Sequence, residues 1–198
     1  MREVIRILDK GLRSALGVFE FCDDPDCLLR VQVTSAAHAL SLPGCLVPKG
    51  APVVGLHLWN EHIPPLPAEG SDLAWAAQTR RKLVASFHAL AGQMLHDSRF
   101  ADVQAVGGIT VLLLPGNDVG GEKLFRRLGF SMFPYHSALG RFGEFWENLY
   151  SWWIMWTFNP ATLHHRHVLR LHRSEVWMSS EEFLSRYGVS KKERIKCQ

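Results

Sequence analysis

The segment of residues 141–158 limits the fold of this chain more than any other, because aromatic side chains lie on nearly every side of it. It holds four of the seven Trp of the chain. Helical spacing places six apolar side chains on one face: Phe142, Phe145, Trp146, Leu149, Trp153 and Trp156. A helix that is apolar all round is buried in protein, paired with another chain or inserted in lipid. The segment therefore predicts a helix in one of these three environments.

The aromatic helix 141–158 leaves several interpretations open. In one, it is a core helix of an aromatic-rich domain. In another, its indoles lie at a membrane surface, since Trp favours the headgroup boundary, and Arg side chains contact lipid phosphate. The residues of this second interpretation are Trp146, Trp152, Trp153, Trp156, Arg166, Arg170 and Arg173. The same aromatic side chains could also line a tunnel for an acyl chain, stack on a sugar or form a homodimer interface.

Positive charge is concentrated at the C-terminal end of the chain. The formal net charge is +3, which is too small to predict nucleic-acid binding. Residues 161–198 carry eight Lys and Arg against four Glu, a net charge of +4, so residues 1–160 carry −1. We expect this basic C-terminal part to pack on the aromatic helix within a single globular domain of residues 1–198.

Cysteine spacing and the N-terminal residues bear on the compartment. Cys22, Cys27, Cys45 and Cys197 have neither the CxxC spacing of zinc sites nor the density of a secreted disulfide scaffold. Residues 1–17 alternate charged and apolar side chains, unlike a signal peptide. The most apolar run, residues 149–158, is too short to span a bilayer. The sequence predicts a cytoplasmic protein without a metal site, peripheral to the inner membrane if it contacts lipid.

The rest of the chain alternates between helical and strand-like patterns. Apolar residues recur every three or four positions in an opening helix that ends near Gly17 and in a long helix from Ser71 to about His96. Strand-like segments, a short helix and a final helix capped by Ser179 make up the remainder: 28–34, 52–60, 103–114, 120–128, 130–133, 167–171, 175–178 and 179–187. These patterns predict an α+β or α/β fold with a central mixed sheet of about five to seven strands flanked by helices.

The sequence LHLWNEH, residues 56–62, combines histidines with a carboxylate at the end of a predicted strand. An imidazole beside a carboxylate is poised to exchange a proton near neutral pH. We therefore name His57 and His62 as candidate general bases, with Glu61 orienting one of them. The alternative is a structural histidine bonded to the backbone beside an exposed Glu-His pair.

Residues 109–130, ITVLLLPGNDVGGEKLFRRLGF, resemble the closing segment of the GNAT acyltransferases. In that family a strand, an Asn, a helix and a Gly-Phe strand lie beside the pantetheine arm of acyl-CoA. The resemblance implies a GNAT-like second half, acyl-CoA as cofactor, and Asn117 in contact with it. Phe125 stands where the family has a Tyr that serves as general acid, and Phe has no proton to donate. The family's pyrophosphate loop is absent from residues 53–83, and a strand–helix–strand unit is also a generic α/β element.

A second resemblance is distributed along the chain. LLRVQV at 28–33, LHLWN at 56–60, GGIT at 107–110, RLGF at 127–130 and VWMSSEEFLSRYG at 176–188 are similar to the YkoP-like family. Members occur alone or joined to polysaccharide-deacetylase modules. The resemblance implies work at or near the cell envelope and supplies no catalytic residues.

These observations lead to three functional hypotheses. The first is a membrane-peripheral protein of cell-envelope or lipid metabolism, which binds a lipid or acyl group through the aromatic helix. The second is an acyl-CoA-dependent, GNAT-like acyltransferase that uses His57, Glu61 or His62 as base. The third is a non-catalytic interaction module that dimerises through the aromatic helix. Whether the protein is an enzyme stays open at this point.

Overall fold

A computed structural model describes residues 2–65, 67, 72–111, 118–135, 137, 140–158 and 173–188. Five α-helices, one 3₁₀ helix (Ser98–Phe100) and seven strands lie within these ranges. The helices are α1 (Arg2–Leu16), α2 (Leu73–Met94), α3 (Asp118–Arg127), α4 (Gly140–Phe158) and α5 (Ser180–Tyr187). The strands are β1 (Leu29–Ser35), β2 (Leu40–Leu42), β3 (Cys45–Val47), β4 (Pro52–Leu58), β5 (Ala105–Val111), β6 (Ser131–Pro134) and β7 (Arg173–Ser179).

The centre of the molecule is a mixed five-stranded sheet in the order β1-β4-β5-β7-β6. β4 and β5 are parallel, and the other neighbours are antiparallel. β2 and β3 form a separate hairpin around Pro43 and Gly44. The predicted α+β domain with a mixed sheet and flanking helices is confirmed. The strand predicted at 167–171 lies outside the described residues.

The first face of the sheet is covered by α2 and α5. Val31, Val54, Val106 and Met178 point into this layer from four different strands, and all are buried. They meet an aromatic group whose rings lie 5.0–5.7 Å apart between centroids: Phe87, Phe130, Phe183 and Tyr187. This layer is the main hydrophobic core.

The second face of the sheet is covered at one end by the β2–β3 hairpin and at the other by α1 and α4. Val53, Ala105 and Trp177 pack against the hairpin. The Trp177 ring lies so close to β5 that a Cβ at Gly107 would collide with it. At the other end, Gln32 Nε2 donates to the carbonyl of Leu16, the last residue of α1, at 2.7 Å. The strand alternation therefore directs polar side chains toward α1 and α4.

Capping side chains fix the helix ends. Ser179 caps α5, since its hydroxyl accepts from the Glu182 N–H, as the sequence predicts. The N-cap of α2 is Asp72, whose carboxylate accepts from the Trp75 N–H, so the prediction of Ser71 is wrong by one residue. α3 ends just before Gly129, whose φ of +94° favours glycine. The described part of residues 161–198 is β7 and α5, of which α5 packs on α2.

Candidate functional site

The helix α4 turns polar side chains toward the protein. Glu147 accepts hydrogen bonds from the Tyr135 hydroxyl at 2.9 Å and from the Ser137 hydroxyl at 2.8 Å. Asn148, only 8% exposed, accepts from Arg173 Nε at 3.2 Å, and the Ser151 hydroxyl accepts from Arg173 Nη2 at 2.8 Å. Burial lowers the pKa of Arg173 and raises that of Tyr135. A polar network thus attaches α4 to the sheet.

The opposite side of α4 presents aromatic rings to the outside. Phe142 is 67% exposed, Trp146 50%, Phe145 44% and Trp153 37%. Phe142 and Phe145 contact the Trp146 ring edge-on, with centroids 6.2 and 5.4 Å away. Three of the four outward rings thus contact one another, and none of the four is part of the buried core of the described residues. We call this set the aromatic face.

The other predicted lipid-contact residues take different places. Trp152 and Trp156 are half-buried on α4. Arg173 lies beneath α4, where its guanidinium is held by Asn148 and Ser151, and it does not reach the aromatic face. Arg166 and Arg170 lie outside the described residues. Of the three predicted arginines, the one within the described residues therefore adds no charge to the aromatic face.

The helix α1 contacts α4 and carries cationic side chains. Lys10 is exposed, and the Arg13 guanidinium lies 4.0 Å from Glu61. Ile7, Leu12 and Leu16 of the same helix are exposed apolar residues. Basic residues recur in the sequence of α1 at three- and four-residue intervals: Arg2, Arg6, Lys10 and Arg13. This pattern was not used in the sequence-based prediction, which considered only the C-terminal charge.

The candidate bases lie at the end of β4 without forming a histidine–carboxylate pair. His57 Nε2 donates to Gln32 Oε1 at 3.2 Å, and burial lowers the pKa of the imidazole, which favours the neutral ring. His62 Nδ1 donates to the Cys27 carbonyl at 2.8 Å. Glu61 Oε2 lies 3.2 Å from Arg30 Nη1. Both histidines thus form hydrogen bonds with groups other than Glu61.

A cavity of about 320 Å³ opens next to His57. The ladder between β4 and β5 ends at Gly55 and Gly107, and residues of both strands beyond that point line the cavity. Its walls are mainly apolar, with Leu56, Ile109 and Ile154 among them. Its volume lies in the range of small-ligand sites.

Three of the predicted site residues meet at this cavity. His57, Phe125 and Arg173 all line it, although they were singled out for different reasons. Asn117, predicted to contact acyl-CoA, lies outside the described residues. Tyr150 and Asn60 also line the cavity, and the sequence offered no signal for either.

A further polar cluster lies at the hairpin end of the second face. His38 Nε2 lies 3.0 Å from Glu175 Oε2, and the same oxygen accepts from Trp177 Nε1 at 2.8 Å. The hydrogen bond to the Ala39 carbonyl and the bond to Glu175 raise the pKa of His38. This cluster connects the residues before the hairpin to β7, and no pattern in the sequence predicts it.

Two features are absent from the described part of the chain. No group of three or more His, Cys, Asp or Glu there could hold a metal ion. None of the helices there has the length and hydropathy that a membrane span requires.

Comparison with known proteins gives one match. A family model described as the YkoP domain matches residues 23–187, which covers every element from β1 to α5. No curated protein matches the chain, and no solved structure does. The helix α1 lies before the matched range.

Proposed function

The chain belongs to the YkoP family, and we propose that it binds the surface of an anionic membrane through the aromatic face of α4. The observation that carries the proposal is the orientation of α4. Its polar side chains Glu147 and Asn148 form hydrogen bonds inside the protein. Its exposed side carries four aromatic rings: Phe142, Phe145, Trp146 and Trp153. A helix placed only for core packing has the reverse arrangement.

The chemistry of the aromatic face favours a lipid surface. Indole and phenyl rings partition to the boundary between headgroups and acyl chains, where one edge is wet and the other apolar. The adjacent α1 also exposes apolar residues: Ile7, Leu12 and Leu16. Lys10 adds a positive charge on α1, which an anionic headgroup layer attracts. Aromatic residues and cations together are typical of interfacial helices.

Vesicle binding tests this proposal. The double variant Trp146→Ala, Trp153→Ala should bind phosphatidylglycerol vesicles roughly ten- to hundredfold more weakly than the wild-type protein, because two interfacial rings are lost. Its melting temperature should change little, since both rings are exposed. Equal binding by wild type and variant would contradict the proposal, as would a large loss of stability.

A matched control uses exposed apolar residues elsewhere. Leu46 on the hairpin and Leu73 at the start of α2 are 67% and 91% exposed. Leu46→Ala with Leu73→Ala removes a similar kind of surface away from α4, and vesicle binding should be unchanged. Sedimentation without lipid adds a third outcome: a dimer that the Trp variant dissociates would assign the aromatic face to self-association instead.

The cavity favours a second candidate function, transfer of an acyl group from acyl-CoA. His57 and Phe125 arose from separate sequence patterns and line the same cavity. A neutral imidazole with Nε2–H bound to Gln32 presents Nδ1 as a proton acceptor. If this function holds, acetyl-CoA should bind, and His57→Gln should abolish transfer of the acetyl group to an amine acceptor, measured as the free CoA thiol that leaves. Absence of CoA binding by the wild-type protein would remove this candidate.

A further inference from the structure

A cleft of about 560 Å³ lies between α1, the last turn of α4 and the loop after β4. We call it the α1/α4 cleft. Its lining residues are Lys10, Arg13, Asn60, Glu61, Ile63, Pro65 and Thr157. No sequence motif pointed to it, because its walls come from three separate parts of the chain.

Thr157 gives the cleft an unusual feature. The residue is 5% exposed, and its Oγ1 is buried without a hydrogen-bond partner. Buried hydroxyls nearly always have a partner, since an unsatisfied one loses its bond to water without replacement. Thr157 is one of the residues that line the cleft, so a ligand bound there is positioned to supply the missing bond.

The charges that line the cleft favour an anion. Lys10 and Arg13 are cationic, and Glu61 is the one carboxylate among the lining residues. Glu61 lies 3.2 Å from Arg30 outside the cleft and 4.0 Å from Arg13 within it, so two cations surround its one negative charge, and Lys10 adds a third positive charge to the lining. Lys10 is exposed and lines the cleft, so its long side chain can reach a ligand there. Ammonium, guanidinium and hydroxyl groups together suit a phosphate ester.

We infer that the α1/α4 cleft binds the phosphate ester of an anionic lipid headgroup, through Lys10, Arg13 and the hydroxyl of Thr157. This inference rests on the proposed membrane binding and specifies the headgroup site for it. Trp153 lies one helical turn before Thr157 on the same side of α4, so a headgroup in the cleft would lie beside the aromatic face. Free phosphate esters share this chemistry, and the experiment separates the two sources.

The sharpest variant is Thr157→Val, which keeps the shape and removes the hydroxyl. Because the hydroxyl is unsatisfied in the free protein, the variant should melt at the same or a higher temperature than the wild type. Its affinity for phosphatidylglycerol vesicles should nevertheless fall about fivefold, through loss of a bond to a charged ligand. Vesicle affinity should therefore fall while the melting temperature does not, and a merely structural role for Thr157 would not produce this combination.

Thr79→Val is the matched control. Thr79 lies on α2, and its Oγ1 is also buried without a hydrogen-bond partner. The substitution makes the same chemical change far from the cleft along the chain. Its vesicle affinity should equal that of the wild-type protein.

Charge provides an independent variant. Lys10→Gln with Arg13→Gln should weaken binding to phosphatidylglycerol vesicles at least tenfold at low salt, and binding to neutral phosphatidylcholine vesicles much less. Titration with sn-glycerol 3-phosphate then tests the soluble source. One outcome is that sn-glycerol 3-phosphate binds the wild-type protein, that Thr157→Val weakens this binding, and that the wild type does not bind vesicles. The cleft would then be a site for a soluble phosphate ester, and the membrane proposal would be wrong.

Other outcomes overturn the inference. Vesicle binding that depends on Trp146 and Trp153 but is unchanged by both cleft variants would leave the membrane proposal standing and remove the headgroup site. A wild-type protein that binds neither phosphatidylglycerol vesicles nor sn-glycerol 3-phosphate would remove the site as well.

Discussion

The two faces of the central sheet are held by different forces. On the first face, α2 and α5 bury an aromatic core around Phe87 and Phe183, both of which are 0% exposed. On the second face, β-strand positions carry Arg30, Arg173 and Glu175, and each is held by hydrogen bonds or ion pairs. Burial of apolar area stabilises the first face. Directional polar contacts position α4 and the hairpin on the second, which leaves the aromatic face of α4 free for another role.

The largest test of this difference compares two phenylalanines. Phe87→Ala removes a ring that contacts Phe130, Phe183 and Tyr187, so the free energy of unfolding should fall by about 3–5 kcal/mol. Phe145→Ala on the exposed side of α4 should cost less than about 1 kcal/mol. Urea denaturation measures both. Losses of similar size would show that α4 is a core helix like α2.

A smaller effect is expected for the polar network under α4. Arg173→Ala leaves the buried Asn148 without its donor and Glu147 without the nearby positive charge, at 3.8 Å. The free energy of unfolding should fall by roughly 2–3 kcal/mol. Hydrogen exchange should accelerate in residues 140–158 before the rest of the chain.

The control for this loss is another arginine. Arg126→Ala breaks an exposed contact with Glu122 on α3 and should cost less than about 0.5 kcal/mol. Unchanged exchange in α4 of the Arg173→Ala variant would mean that apolar contacts alone hold this helix.

The smallest effect concerns pH at the hairpin. The pKa of His38 is raised in the folded protein, so its contact with Glu175 stabilises the fold below the ordinary histidine pKa of 6.5 and is lost as pH rises through the folded value. Because His38 is half exposed, the effect should not exceed about 1 kcal/mol. His38→Gln should therefore destabilise the protein at about pH 6 and much less at about pH 8. A stability difference that is independent of pH would contradict this assignment.

Local patterns in the sequence were sufficient for most of the secondary structure. The opening helix, the long helix and the aromatic helix all lie within about three residues of their predicted bounds, because periodicity and capping are local properties. The β2–β3 hairpin lies outside the strand-like segments that the sequence predicts, since strands of three residues are too short to show a period.

Tertiary partners were the part that the sequence did not reveal. The aromatic helix is apolar nearly all round, so its pattern did not indicate which side faces inward. Glu147, Asn148 and Ser151 decide the orientation, and their partner Arg173 lies 22 to 25 positions away from two of them. Likewise, Glu61 was assigned to a neighbouring histidine, whereas its partner Arg30 is 31 positions earlier. Contacts of this kind depend on the fold as a whole.

The position of β7 has a consequence for synthesis on the ribosome. β7 is the last strand among the described residues, yet it lies between β5 and β6 in the sheet. The sheet cannot close until residues 173–179 have left the exit tunnel, because β6 has no other strand neighbour among the described residues. α4 is synthesised earlier, and its polar side chains cannot form their hydrogen bonds with Arg173 until that residue has been synthesised. On the nascent chain, the aromatic rings of α4 are therefore exposed before β7 can join the sheet.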